Sequence, residues 1–188
     1  MFRYNKNYIY HFLMVLLFVF SSTAAAQQID FKDFKVVGKP SSYQVLTRVE
    51  FELTDYLRNA LLNGVKLDAH VQFRLGMHRS WWFNKDTPLL TVHYQLKYHA
   101  LSRHYLLTRN DTNEHWNFSN LPAALRKLGE LRKYRLPDVS KFQNKDDDYY
   151  IFVTADMVPS TLRLPLRIQS IFSDQYRLTS EGVLWPLP

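Results

Sequence analysis

The chain contains no cysteine. That excludes disulfides, so an exported protein of this sequence must hold together by its core alone. It also excludes lipid attachment through a cysteine behind a leader. Glycine is scarce: five residues lie scattered at positions 38, 64, 76, 129 and 182. They build no phosphate-cradling loop, so nucleotide binding has no support. There is no H-E-x-x-H pair, and no serine occupies a G-x-S-x-G turn. After Phe20 no apolar run approaches the ~20 residues that a membrane-spanning helix requires.

What is present begins with the N-terminus. Arg3 and Lys6 precede the apolar run "FLMVLLFVF" (Phe12 to Phe20), which is followed by "SSTAAAQQ" with Ala24 and Ala26. A basic start, a short apolar core and small residues before a cut are the layout of a secretory signal peptide. Cleavage is expected after Ala26, giving a leader at 1–26 and one β-rich periplasmic domain at 27–188. A stretch of that length fits one domain and can bury about 70% of its unfolded surface. The full chain carries 24 basic and 17 acidic side chains, a formal charge of +7. An exported basic protein is expected to meet an anionic envelope surface or an envelope protein rather than nucleic acid.

The stretch "VKLDAHVQFRLGMHRSWWF" (Val65 to Phe83) sets the pattern for the rest. Val65, Leu67, Ala69, Val71, Phe73, Leu75 and Met77 fall on one side. Lys66, Asp68, His70, Gln72, Arg74, Gly76 and His78 fall on the other. Side chains of a strand alternate between faces, so this reads as a half-buried antiparallel strand with a wet face. His70 and His78 share that face but lie ~26 Å apart, at about 3.3 Å per residue. They cannot hold one metal ion. His93 belongs to the same wet face by parity.

The same alternation marks "YQVLTRVEFELTD", "PLLTVHYQLKYH", "DYYIFVTADM" and "TLRLPLRIQ". Pro165 puts the last of these at an edge or a bulge. "IDFKDFKVV" reads as a weaker strand whose parity shifts midway. "RHYLLTRN" and "YRLTSEGVLWPL" add short ones. Two helices interrupt the strands. Thr54 or Asp55 caps "YLRNALLN", with Gly64 past its end. Ser119 or Asn120 caps "LPAALRKLGELRK", which sets Leu121, Leu125, Leu128 and Leu131 on one stripe. "NKDTP", "RNDTNEH" and "QNKDDD" read as polar loops. The expected fold is mainly β with two helices (α+β). It takes the form of an antiparallel β-sandwich or a strongly curled sheet, immunoglobulin-like in one version, with helices at the ends.

Among candidate sites, "HRSWWFNKD" (His78 to Asp86) stands out. If the alternation continues, Trp81 and Trp82 point to opposite faces. Trp81 then shares the core parity of Phe73 and Leu75. Trp82 is exposed beside Arg79 and Lys85, an aromatic and basic patch suited to a partner, a lipid head group or a sugar. A bulge between Met77 and Trp81, near Gly76, would relieve the burial of Arg79. His99 and His104 flank a turn that holds Ser102, but no third ligand has recognisable spacing for zinc. Lys145 to Tyr150 lacks the calcium-loop spacing. No catalytic residue, metal ligand set or cofactor is assigned.

The second half also carries a resemblance. Arg79, Trp81 and Trp82 lead into Leu96, Tyr98, Leu101 and Tyr105. Ala124, Leu125, Leu128 and Gly129 follow, then Leu164 to Leu166, and finally Trp185 to Leu187. This order resembles the bacterial exported family called domain of unknown function 4390, with Tyr176 where that family often has tryptophan. The resemblance implies an envelope protein and, by analogy, an accessory to a membrane sensor. The leading expectation is a non-catalytic binding or interaction module. The alternatives are a hydrolase acting on an envelope polymer, and a lipid or small-ligand carrier with a cavity between sheet layers.

Overall fold

A computed structural model describes residues 29–77, 85–141, 148–160 and 176–187, without the side chains of Lys85 and Lys133. Several expectations lie outside the described residues. These are the leader and its cleavage site, His78, Arg79, Trp81 and Trp82, Lys145 with the acids Asp146 and Asp147, and the "TLRLPLRIQ" strand.

The chain opens with β1 (Ile29–Val37) and β2 (Gln44–Phe51), which pair antiparallel. The parity of β1 shifts as expected: its register against β2 breaks between Lys32 and Lys35, and Asp33 has φ +53°. In β2 the expected inner row of Val45, Thr47, Val49 and Phe51 is buried, and Leu53 continues it. Helix α1 (Asp55–Leu62) follows. Its N-cap is Thr54, whose hydroxyl accepts a hydrogen bond from the Leu57 N–H at 3.2 Å. Its buried Leu57 and Leu61 lie against β4 (Lys85–His99) and β8 (Tyr149–Pro159).

Strand β3 (Leu67–Met77) has the alternation read from sequence: Leu67, Ala69, Val71, Phe73 and Leu75 are buried. It lies between β4 and β8, antiparallel to both. The sheet continues from β4 through β5 (His104–Arg109) to β6 (Glu114–Phe118). Beyond β8 lie the short strands β9 (Leu178–Thr179) and β10 (Val183–Pro186). Among the described residues this gives a seven-stranded sheet and a second sheet of three, β1-β2-β7, with β7 spanning Glu130–Arg135.

Each helix sits where the chain crosses from one sheet to the other. Helix α1 leads from β2 to β3, and α2 (Leu121–Leu128) leads from β6 to β7. Three strands cannot cover seven at ~4.8 Å per strand. Helix α2 supplies the missing cover, packing on β2, β5 and β6. At the other side Phe34 of β1 meets Trp185 of β10 edge-on, with ring centroids 6.1 Å apart. The buried apolar residues of both sheets and both helices form one core cluster. The architecture is an antiparallel sandwich with two helices, as the alternation implied.

Three boundaries differ from expectation. Residues 85–88, read as loop, belong to β4, whose extra residue against β3 falls at Leu89, between the pairs Phe73↔Leu90 and Arg74↔Pro88. The bulge expected between Met77 and Trp81 lies outside the described residues. Strand β6 lies partly in "RNDTNEH", also read as loop. Helix α2 does not run through Lys133. It stops at Gly129, which caps it, and Leu131 is buried as part of β7. A Cβ at Gly129 would fall 1.7 Å from the Val49 carbonyl oxygen, so the chain can cross β2 there only as glycine.

Candidate functional site

The outer face of the large sheet is a ladder of polar rows that strand pairing dictates. In one row His70 lies between His93 of β4 and Asp156 of β8. The His70 Nδ1–H donates to the Asp156 carboxylate at 3.2 Å, and Arg177 approaches the same carboxylate at 3.7 Å. The hydrogen bond from His70 to Asp156 raises the imidazole pKa, against the opposing effect of partial burial. The His70 ring meets the His93 ring edge-on at 4.8 Å. In a neighbouring row Gln95 donates to Asp68 at 3.0 Å. Further along, the Arg74 guanidinium lies 4.8 Å from the centre of the Phe152 ring and 3.7 Å from Asp86. The Tyr150 hydroxyl reaches Asp86 at 3.2 Å across Gly76.

His70 and His93 thus lie on the outer face, as their parity implied, but His70 is held by a carboxylate. His99 and His104 are paired neighbours across the β4–β5 turn, and both are exposed. The His104 ring is hydrogen-bonded to the Ser102 carbonyl at 2.5 Å. Among the described residues no group of three or more His, Asp or Glu side chains could hold a metal ion. Of the expected patch, Arg79 and Trp82 lie outside the described residues. The backbone of Lys85 opens β4.

On the inner side, Arg109 ties the two sheets together. It makes a bidentate pair with Asp111 (2.9 and 2.7 Å) and donates to the Tyr134 hydroxyl at 2.7 Å. Its guanidinium also lies 5.0 Å from the Tyr134 ring centre. Burial works against the Asp111 charge, but the Arg109 bonds outweigh it and hold that carboxyl below its usual range. Beside them burial pushes the Tyr94 phenol up to about 12. These groups are one another's partners, reaching from Tyr134 between the layers to the exposed Asp111.

The open feature lies elsewhere. A groove of about 330 Å³ runs between β2, the start of α2 and one side of α1. Its floor is apolar, formed by Val49, Phe51, Leu53, Leu121 and Leu125. Its rim carries Arg48, Arg58 and Arg126 together with Glu50 and Glu52, all five exposed. Glu50 faces Lys32 at 4.0 Å. Among the described residues none of the three arginines has a carboxylate within ion-pair distance. The sequence does not reveal this groove, because α2 reaches the neighbouring β2 and α1 only through the fold.

Fold and site together define a two-sheet β-sandwich with a surface groove. The chain matches the family described as "Domain of unknown function (DUF4390)" over residues 26–186, and it belongs to that family. The sequence resemblance pointed to the same family. Tyr176 packs edge-on against Tyr56 of α1 at 4.5 Å. Neither the curated proteins nor the solved structures contain a match. No helix among the described residues is long and apolar enough to cross a membrane.

Proposed function

We propose that this protein is a non-catalytic binding module of the bacterial periplasm, exported by the leader that ends at Ala26. The observation that carries the reading is the groove between β2 and α2, an apolar floor beneath arginines that have no described acid partner. It is concave, and a small number of polar groups surround an apolar surface, as in binding sites generally. The hydrolase alternative needs His99, His104 and an acid to converge in a cleft, and both histidines are exposed at a turn. The carrier alternative placed its cavity between the sheet layers, whereas the groove opens beside the end of β2, between its inner row and α2, with exposed charged groups at its rim. The patch of Arg79, Trp82 and Lys85 enters this reading from sequence alone, as a second surface for an envelope protein. An accessory role beside a membrane sensor is the family-level analogy that fits such a module.

The cysteine-free chain permits a direct test. Pro122 is exposed and lines the groove. Gln72 is exposed on the outer sheet face. Pro122→Cys and Gln72→Cys each introduce a single thiol that can carry a photocrosslinker in intact cells. Specific adducts from position 122 and none from position 72 are the expected result. Equal adducts from both positions, or recovery of the protein only in the cytoplasm, would overturn the proposal.

A further inference from the structure

We infer that the groove between β2 and α2 takes a small amphiphile with one anionic head, a carboxylate or a phosphate, and a short apolar tail. The inference rests on the binding-module reading and names its ligand.

The tail follows from the floor. Val49, Phe51 and Leu53 are the last inner residues of the β2 row, and Leu121 and Leu125 face them from α2. The groove, at about 330 Å³, lies at the small end of ligand sites, which range over roughly 300–1,000 Å³. A short chain fits it, and a folded protein domain does not.

The head follows from the rim. Arg58 rises from α1 and Arg126 from α2, on two sides of the floor, with Arg48 on β2. A guanidinium presents a planar fork that matches carboxylate and phosphate oxygens. Glu50 and Glu52 line the same groove, so its five charged groups sum to +1. That balance suits one compact anion. It disfavours a polyanion such as nucleic acid or a polyphosphate, which would meet both glutamates.

The test is calorimetric titration of the purified protein with decanoate, decyl phosphate, decyl maltoside and decyltrimethylammonium, below their micelle concentrations. Binding of decanoate or decyl phosphate, with neither the neutral nor the cationic compound binding comparably, is expected. Whichever anion binds more tightly identifies the head group. Arg58→Gln with Arg126→Gln should weaken that binding by about tenfold or more, the loss expected for charge-assisted hydrogen bonds. Both side chains are exposed, so the fold should survive. If the double variant does not fold, ligand-induced shifts of the Leu125 methyl and Phe51 ring signals in the unaltered protein decide the matter. Equal binding of all four compounds, shifts elsewhere, or no binding would overturn the inference. Failure here, with position-specific crosslinks still formed at Pro122→Cys, would leave the binding module standing with a different ligand.

Discussion

The ring of Phe73 lies parallel to that of Tyr134, with centroids 5.7 Å apart and 2° between the planes. Phe73 comes from the centre of the seven-stranded sheet and Tyr134 from β7 of the smaller one, so this stack is a contact between layers. Phe73 is fully buried. Phe73→Ala should cost ~3–5 kcal/mol of stability. Tyr134→Phe keeps the stack and loses the hydroxyl's bonds with Arg109 and Asp111, so ~1–3 kcal/mol is expected. Urea denaturation of the two variants gives the order. A Tyr134→Phe loss as large as that of Phe73→Ala would mean that the hydroxyl's bonds, not the stack, join the layers.

Two glycines allow a sharper comparison. A Cβ at Gly129 would fall on the Val49 carbonyl oxygen, whose residue also donates its N–H to the Gly129 carbonyl at 2.8 Å. A Cβ at Gly76 would fall 2.1 Å from the Tyr150 ring. Backbone cannot swing aside, and a side chain can. Gly129→Ala should therefore reach or exceed the ~1–3 kcal/mol typical of overpacking, and Gly76→Ala should cost clearly less. Thermal melts of both variants check the ranking.

The His70–Asp156 pair makes stability depend on pH. The Asp156 carboxylate favours the charged imidazole and raises its pKa above the unfolded value. The contribution is therefore fully present below the ordinary histidine value of about 6.5 and is lost as pH rises through the raised one. The urea midpoint should fall over that interval, and His70→Gln should flatten the fall. An NMR titration of the His70 ring locates the interval. A midpoint that rises with pH in the parent and not in the variant would contradict the assignment.

Trp81 and Trp82 are expected to be unequal. The alternation that β3 shows up to Leu75 assigns Trp81 to the core and Trp82 to the surface. Trp81→Ala should then cost ~3–5 kcal/mol. Trp82→Ala should cost little stability and weaken partner capture. Denaturation followed by crosslinking distinguishes them, and equal large losses would remove the exposed anchor.

The strands with a dense inner row were legible because one face of each is buried along its whole length. In β3 every second residue from Leu67 to Leu75 is core. Strand β6 was hidden because its inner row is only Trp116 and Phe118, both half-buried, among polar residues. The start of β4 was hidden by Pro88, which is tolerated because among the described residues β5 pairs only from Tyr94 onward and leaves an edge there. Leu128 and Leu131 fit one helical stripe, yet both are equally buried with a helix end and a strand start between them. Periodicity could not separate those cases; Gly129 does. The groove was illegible for a different reason. Arg126 lies far along the chain from Arg48 and Arg58, and the three line one groove only because α2 packs on β2.

The placement of β7 has a consequence for how the molecule is made. Strand β2 finds β1 at once, through a short turn. Its other edge waits for a strand that follows four more strands and both helices. Until that late arrival, the peptide groups of Gln44 to Arg48 present an open template to any extended chain nearby. Long-range closure is slow, because distant segments must meet before they gain anything. Refolding yield should therefore fall steeply with protein concentration. In a cell, a holding factor that occupies that edge while the chain emerges would matter more to this protein than its final stability does.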